Sequence, residues 1–140
     1  MSAFEVTGSC LCGQVKYRVK GPERVFQYCH CSRCQKTTGS AHASNIIVDP
    51  AQFEWLNGEN HVGRFEHPEA NHFAVSFCKR CGSNLPWLTK SGRSVVVPAG
   101  TLDDDPGIRP RHNIFLANQA PWYVTADTIL QYDALPTKEN

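Results

Sequence analysis

The sequence predicts an all-β domain with only short helical turns, and three observations carry that reading. No window keeps apolar residues at spacings of three and four over a dozen positions, so no long helix is predicted. Short segments of alternating apolar and polar residues recur instead, separated by turns drawn from 10 glycines and 9 prolines. Seven cysteines fall into three tight clusters, each at the end of one of these segments. The 140 residues read as one domain, 1–140, long enough to bury roughly two-thirds of the unfolded chain's surface.

In order along the chain, Cys10-Leu11-Cys12-Gly13 is a cysteine knuckle followed by Gln14 to Lys20, where Val15, Tyr17 and Val19 alternate with polar neighbours as in a half-buried strand. Glycine after Cys12 suits a knuckle whose backbone must pass close to sulfur, often at positive φ. Gly21-Pro22 turns the chain, and Val25 to Tyr28 reads as a strand delivering Cys29. Gln35 to Thr38 forms one helical turn ended by Gly39, and Ser40 to Val48 continues extended. Asp49-Pro50 has the pattern of an N-cap with proline at the first helical position, opening a short turn over Ala51 to Phe53. Phe53 to Leu56 leads into Asn57-Gly58, a tight-turn signal.

The stretch 59–71 is polar and aperiodic and reads as a surface loop or weak hairpin. Phe73 to Phe77 alternates and delivers a second knuckle, Cys78-Lys79-Arg80-Cys81-Gly82. Ser94 to Val97 is a buried strand ended by Pro98, and 99–107 is dense in turn residues. Asn113 to Leu116 is a further strand, Pro121 to Tyr123 an aromatic corner with Trp122 in the core, and Ile129 to Tyr132 a last short strand. The tail from Pro136 to Asn140 reads as frayed.

Composition excludes several classes of function. The formal charge is +1 and the basic residues are scattered, which leaves no electrostatic footprint for nucleic acid. No stretch approaches the ~20 apolar residues of a membrane span. The N-terminus has neither the basic start nor the apolar run of a secretory signal, so the expectation is a soluble, cytoplasmic protein. An odd number of clustered cysteines in a reducing compartment favours metal or redox use over disulfides.

Sorted by spacing, the cysteines form Cys-x-Cys (Cys10, Cys12), Cys-x-Cys-x-x-Cys (Cys29, Cys31, Cys34) and Cys-x-x-Cys (Cys78, Cys81). A closed four-thiolate zinc site needs two pairs brought together from separate parts of the chain. Cys10, Cys12, Cys78 and Cys81 fit, since each pair precedes glycine. The triad then has a metal of its own and is one ligand short of closure, and an open position is what a catalytic zinc keeps for water or substrate. The other reading of the triad is a second structural zinc closed by His30, His42, His72 or His112.

Haem attachment is excluded because Gln35 and Gly82 follow the candidate pairs where histidine is required. A thioredoxin-like pair at Cys78 would open a helix in a βαβ setting that is not predicted. Ligand type alone also admits an iron–sulfur cluster, whose usual spacings match poorly.

Five blocks in register from Gly8 to about Tyr132 resemble the family of glutathione-dependent formaldehyde-activating enzymes, which includes centromere protein V. They are Gly8 to Tyr17, Tyr28 to Ser40, Phe77 to Ser83, Gly100 to Asp104 and Ala120 to Trp122. The resemblance implies a fold of zinc-stabilised antiparallel sheets, the β-tent. It implies two zinc ions, a structural one on Cys10, Cys12, Cys78 and Cys81 and a catalytic one on Cys29, Cys31 and Cys34. It also implies a carbon–sulfur lyase acting on a small thiol such as glutathione and on formaldehyde or a related aldehyde.

The chain departs from the family pattern where Asn113 separates His112 from Ile114. Arg33 and Lys36 are candidates to offset thiolate charge or hold a carboxylate, His30 to shuttle a proton, and Asp103, Asp104 and Asp105 to serve as acid or base. Each also has a plain reading as surface charge, packed histidine or turn residue. Two rival functions stand beside the lyase: a non-enzymatic zinc module offering a surface to a protein partner, and a thiol oxidoreductase. Oligomeric state is not legible.

Overall fold

The structure, a computed structural model, describes residues 4–136. It contains eleven strands and one helix: β1 (Glu5–Ser9), β2 (Lys16–Lys20), β3 (Val25–Cys29), α1 (Ser32–Thr38), β4 (Ala43–Val48), β5 (Phe53–Asn57), β6 (Val62–Glu66), β7 (Ala74–Cys78), β8 (Asn84–Leu85), β9 (Trp87–Leu88), β10 (Val95–Pro98) and β11 (His112–Ile114). The remaining helical pieces are short 3₁₀ turns, so the all-β expectation holds. No helix among the described residues is long and apolar enough to cross a membrane.

The strands form three sheets, in the orders β1-β2-β5, β11-β3-β4-β10-β9 and β6-β7-β8. Pairing is antiparallel except at β11, which lies parallel to β3 with Ile114 opposite Cys29. The largest core cluster lies where strand alternation sends Tyr17 and Val19 of β2 against Phe26, Ile46, Val48, Val95 and Val97 of the five-stranded sheet. Tyr17 is fully buried, and its hydroxyl meets Thr101 Oγ1 at 2.5 Å, so the one polar atom of the ring is satisfied.

Two smaller clusters are built around cysteine. One packs Cys10 and Cys78 with Val15 and Leu85; the other packs Cys29 and Cys34 with Ala43.

Most predicted elements are present, and the differences have identifiable causes. The helix starts earlier than Gln35, at Ser32, because the Cys31 sulfur caps it by accepting the Cys34 N–H at 3.3 Å; Gly39 ends it in the left-handed conformation. The polar stretch after Gly58 contains β6, whose strand character comes from pairing with β7 rather than from its own periodicity. β1, β8 and β9 are not announced in the sequence. The latter two are two residues each, too short to show alternation.

Two expectations are overturned. Residues Ile129 to Tyr132 form no strand, and Trp122 is 67% exposed rather than core. Trp122, Ile129, Leu130 and Tyr132 are all exposed. Of the tail, Pro136 is described and exposed; 137–140 lie outside the described residues.

The Asn57-Gly58 turn is real. Gly58 sits at φ 77°, and a Cβ placed there would lie 2.2 Å from the backbone oxygen of Gln14. Gly58→Ala is therefore expected to combine left-handed strain of about 1–2 kcal/mol with a clash against immovable backbone. Thermal unfolding of the variant should show a midpoint lower by roughly 5–10 °C, and an unchanged midpoint would contradict the placement of this turn.

Candidate metal centres

The two knuckles meet across the fold. Sγ atoms of Cys10, Cys12, Cys78 and Cys81 all lie within 4.8 Å of one another. Cys10 to Cys12 is 3.6 Å and Cys12 to Cys78 is 3.9 Å. Four thiolates at ~2.3 Å from one tetrahedral ion would sit about 3.8 Å apart, so the donor set fits a metal of that size. Glycine serves both knuckles as expected: Gly13 and Gly82 stand at φ 80° and 77°, each returning its N–H to the carbonyl of the first cysteine, Cys10 or Cys78. Backbone N–H groups also donate to sulfur, from Val15 to Cys10 at 3.3 Å and from Arg80 to Cys78 at 3.4 Å.

Ser83 is a member of this site that sequence reasoning missed. Its oxygen accepts the Leu11 N–H at 2.9 Å and lies 3.2 Å from Cys81 Sγ, tying one knuckle to the other. The Ser83 hydroxyl is the leading reason that the Cys81 thiol is lowered to about 5. The signal was present in Phe77 to Ser83, but a serine beside a Cys-x-x-Cys says nothing of its partner until Leu11 is folded against it. Ser83→Ala is expected to leave the fold intact and weaken metal retention at this cluster about 10–100-fold, measured by competition with a chelator.

The triad forms a second group, with Cys29, Cys31 and Cys34 sulfurs within 4.8 Å of one another and, among the described residues, no histidine or carboxylate within that limit. β3 delivers Cys29, the bend after His30 turns the chain, and α1 brings Cys34 back within its first turn. Close contact sets the Cys29 and Cys34 thiols apart. Cys29 is lowered to about 6, chiefly by its contact with the Cys34 sulfur, while Cys34 is pushed far up by that same contact and by burial. Holding three thiolates there calls for a cation, which is the chemistry of a metal site.

A cleft of about 630 Å³ opens on the triad and is lined by all three cysteines together with Arg33, Asn45, His72, Phe73, Trp87 and Phe115. A smaller cavity of about 190 Å³ shares Cys34, Asn45, Phe73 and Trp87 with it. Phe73 and Trp87 pack with ring centroids 5.4 Å apart and supply an apolar wall.

The other candidates separate clearly. His30 is fully buried, its Nε2 2.9 Å from Asn113 Oδ1, and its ring packs against His42 and Tyr123 at centroid distances of 5.0 Å. It is a packed strand-end histidine. The Asn113 that departs from the family pattern is thus its hydrogen-bond partner.

Gln35, a residue the spacing did not single out, braces the bend: its Nε2 donates to His30 O at 2.7 Å and to Asn118 O at 2.9 Å. His112 pairs with Gln27 at 2.9 Å. Asp103 accepts from Ser9 Oγ at 2.6 Å and from Thr7 Oγ1 at 3.2 Å. Asp105 is clasped by Arg109, which with the Gly107 N–H holds its carboxyl at about 2. These contacts tie Asp103 to β1 and Asp105 to its own turn, and neither lines the triad cleft, nor do Asp104 and Lys36.

His42 stacks on Tyr28 and is lowered from 6.5, first by desolvation, with His30 adding to the effect. Below pH 6.5 the unfolded chain binds a proton at this position that the folded chain resists, so its contribution to stability falls as the pH drops. His42→Gln should flatten the pH dependence of unfolding below pH 6.5 relative to wild type. Parallel curves would show that His42 is not responsible.

Fold and site together define a β-sheet protein with one four-thiol and one three-thiol group, each of which could hold a metal ion. Comparison with known proteins then places it. The profile of the family described as "Glutathione-dependent formaldehyde-activating enzyme" matches residues 5–118, and the chain belongs to that family. A relative from Halomonas elongata, named "Putative glutathione-dependent formaldehyde-activating enzyme", is 32% identical over 126 residues, spanning 82% of this chain and 77% of the relative. A crystal structure of a Rhodobacter sphaeroides protein matches at a TM-score of 0.56 and 20% identity, covering 76% of this chain and 98% of the other; it supports the fold alone.

Proposed function

We propose that the protein is a zinc-dependent carbon–sulfur lyase resembling S-(hydroxymethyl)glutathione synthase. In this reading it joins a small thiol, glutathione or one like it, to formaldehyde or a related aldehyde. The observation that carries the reading is a group of three thiols opening onto a cleft large enough for a small-molecule substrate. Zinc fits both groups because thiolate sulfur is among its preferred donors and the cysteine spacings match iron–sulfur clusters poorly. Cys10, Cys12, Cys78 and Cys81 would hold a closed structural site, and Cys29, Cys31 and Cys34 an open catalytic one. Bound at the triad, zinc supplies a Lewis acid beside which a substrate thiol ionises to its nucleophilic form.

The reaction is a redox-neutral addition. The thiol gives up its proton, a sulfur electron pair forms the bond to the carbonyl carbon, the C=O π pair moves to oxygen, and that oxygen takes up a proton. Three cysteine thiolates on a divalent ion would carry net −1, and a substrate thiolate beside them would make it −2. A cation at the rim then matters, and Arg33, which lines the cleft, is placed to offset that charge or to hold a substrate carboxylate. Phe73 and Trp87 exclude water from one side, which strengthens electrostatic interactions within the cleft. Thiols that must stay reduced suit a reducing compartment, the cytoplasm.

The test is direct. Zinc-loaded protein is mixed with glutathione and formaldehyde, and formation of the S-hydroxymethyl adduct is followed by NMR. The expected result is two equivalents of zinc per chain and adduct formation faster than in buffer. No acceleration with glutathione or any other small thiol would sink the lyase reading in favour of a non-enzymatic interaction module.

A further inference from the structure

The segment Phe115 to Leu135 carries apolar residues that the single chain leaves in water. Phe115, Leu116, Trp122, Val124, Ile129, Leu130, Tyr132 and Leu135 are all exposed, Leu130 at 83% and Leu135 at 87%. The segment is tied down at its start. Phe115 stands in the left-handed conformation at φ 54°, Asn118 O accepts from Gln35, Ala120 is buried, and the Tyr123 ring packs on His30. Beyond that anchor every residue from Val124 to Pro136 is exposed.

An apolar arm held in water gains nothing to offset its ordering entropy. Its residues read in the sequence as core, with Trp122 as a buried aromatic and Ile129 to Tyr132 as a strand, and one chain does not supply that core. The family profile ends at 118, before most of the arm.

We propose that this arm docks on a second copy of the chain, forming a two-fold dimer. Area and charge choose the occupant. The exposed apolar side chains present on the order of 1,000 Å² of surface, the scale of one partner's ~800 Å² share of a standard interface. The only charged residues from Phe115 to Leu135 are Asp127 and Asp133, so nothing selects a nucleic acid, an anionic membrane or a strongly acidic partner. The same apolar stretch on each copy can meet its equivalent across a two-fold axis. Because the arm leaves from Phe115 and Asn118, both lining the triad cleft, the interface comes to the cleft's rim.

The experiment is light scattering of the full zinc-loaded chain on a sizing column from about 1 to about 100 μM, with and without the double substitution Leu130→Asp and Leu135→Asp. Both side chains are exposed in one copy, so the single-chain fold should survive, which far-UV circular dichroism and zinc content check. The expected result is twice the 15.6 kDa chain mass for wild type and dimerisation weakened at least ~10-fold in the variant. Hydrogen exchange should show amides of 122–135 protected in wild type and unprotected in the variant. A wild-type monomer throughout overturns the proposal, whether the arm is free or protected against its own chain; so does an equally tight dimer in the variant.

Discussion

Cys78→Ser is expected to unfold the protein. Cys78 is fully buried at the end of β7, and in the proposed arrangement it is one of four thiolates on a structural zinc joining the first knuckle to the second. A structural zinc site contributes on the order of 10–16 kcal/mol of apparent binding energy, as much as or more than the ~5–15 kcal/mol net stability of a domain. The hydrophobic cluster there is small, Cys10, Cys78, Val15 and Leu85, and cannot replace it. Circular dichroism should show loss of the sheet signal, and a strong chelator should do the same to wild type. A variant that keeps a native spectrum and a cooperative melt would mean that packing, not metal, holds the knuckles together.

Cys34→Ser is expected to have the opposite profile. The triad lies at the end of β3 and the start of α1, and the main core between Tyr17, Phe26, Ile46 and Val97 does not depend on it. The variant should fold, lose one of two zinc equivalents, and lose adduct-forming activity by far more than the roughly 100-fold that follows loss of a ligand's hydrogen-bond partner. Unfolding comparable to Cys78→Ser would assign the triad a structural role. Full activity in a chain holding one zinc would place the chemistry outside the cleft.

Each cysteine cluster was legible because it rests on local covalent spacing, and the two knuckles were paired from the glycine that follows each. Thiols two or three residues apart at a strand end converge wherever the strand lies, and a glycine after the second frees the backbone to wrap the sulfur. The strands of the core were legible where alternation is clean, as in Val15, Tyr17 and Val19. β6, β8 and β9 were not, since their extended form comes from neighbours in the sheet rather than from their own residues.

The two misread apolar elements, Trp122 and Ile129 to Tyr132, show the limit from the other side. Hydrophobicity says that a residue seeks burial, and it does not say against which chain.

By itself, then, the sequence determined the sheet-rich class, the division of seven cysteines into four and three, and the family. Only the tertiary structure decided what surrounds them: Ser83 between the knuckles, Gln35 and Asn113 bracing the bend after His30, Arg33, Phe73 and Trp87 on one cleft, and the arm left in water. The physical reason is range. A knuckle is made by residues that the chain already holds together, whereas a cleft wall is made by residues tens of positions apart that meet only after whole sheets have packed.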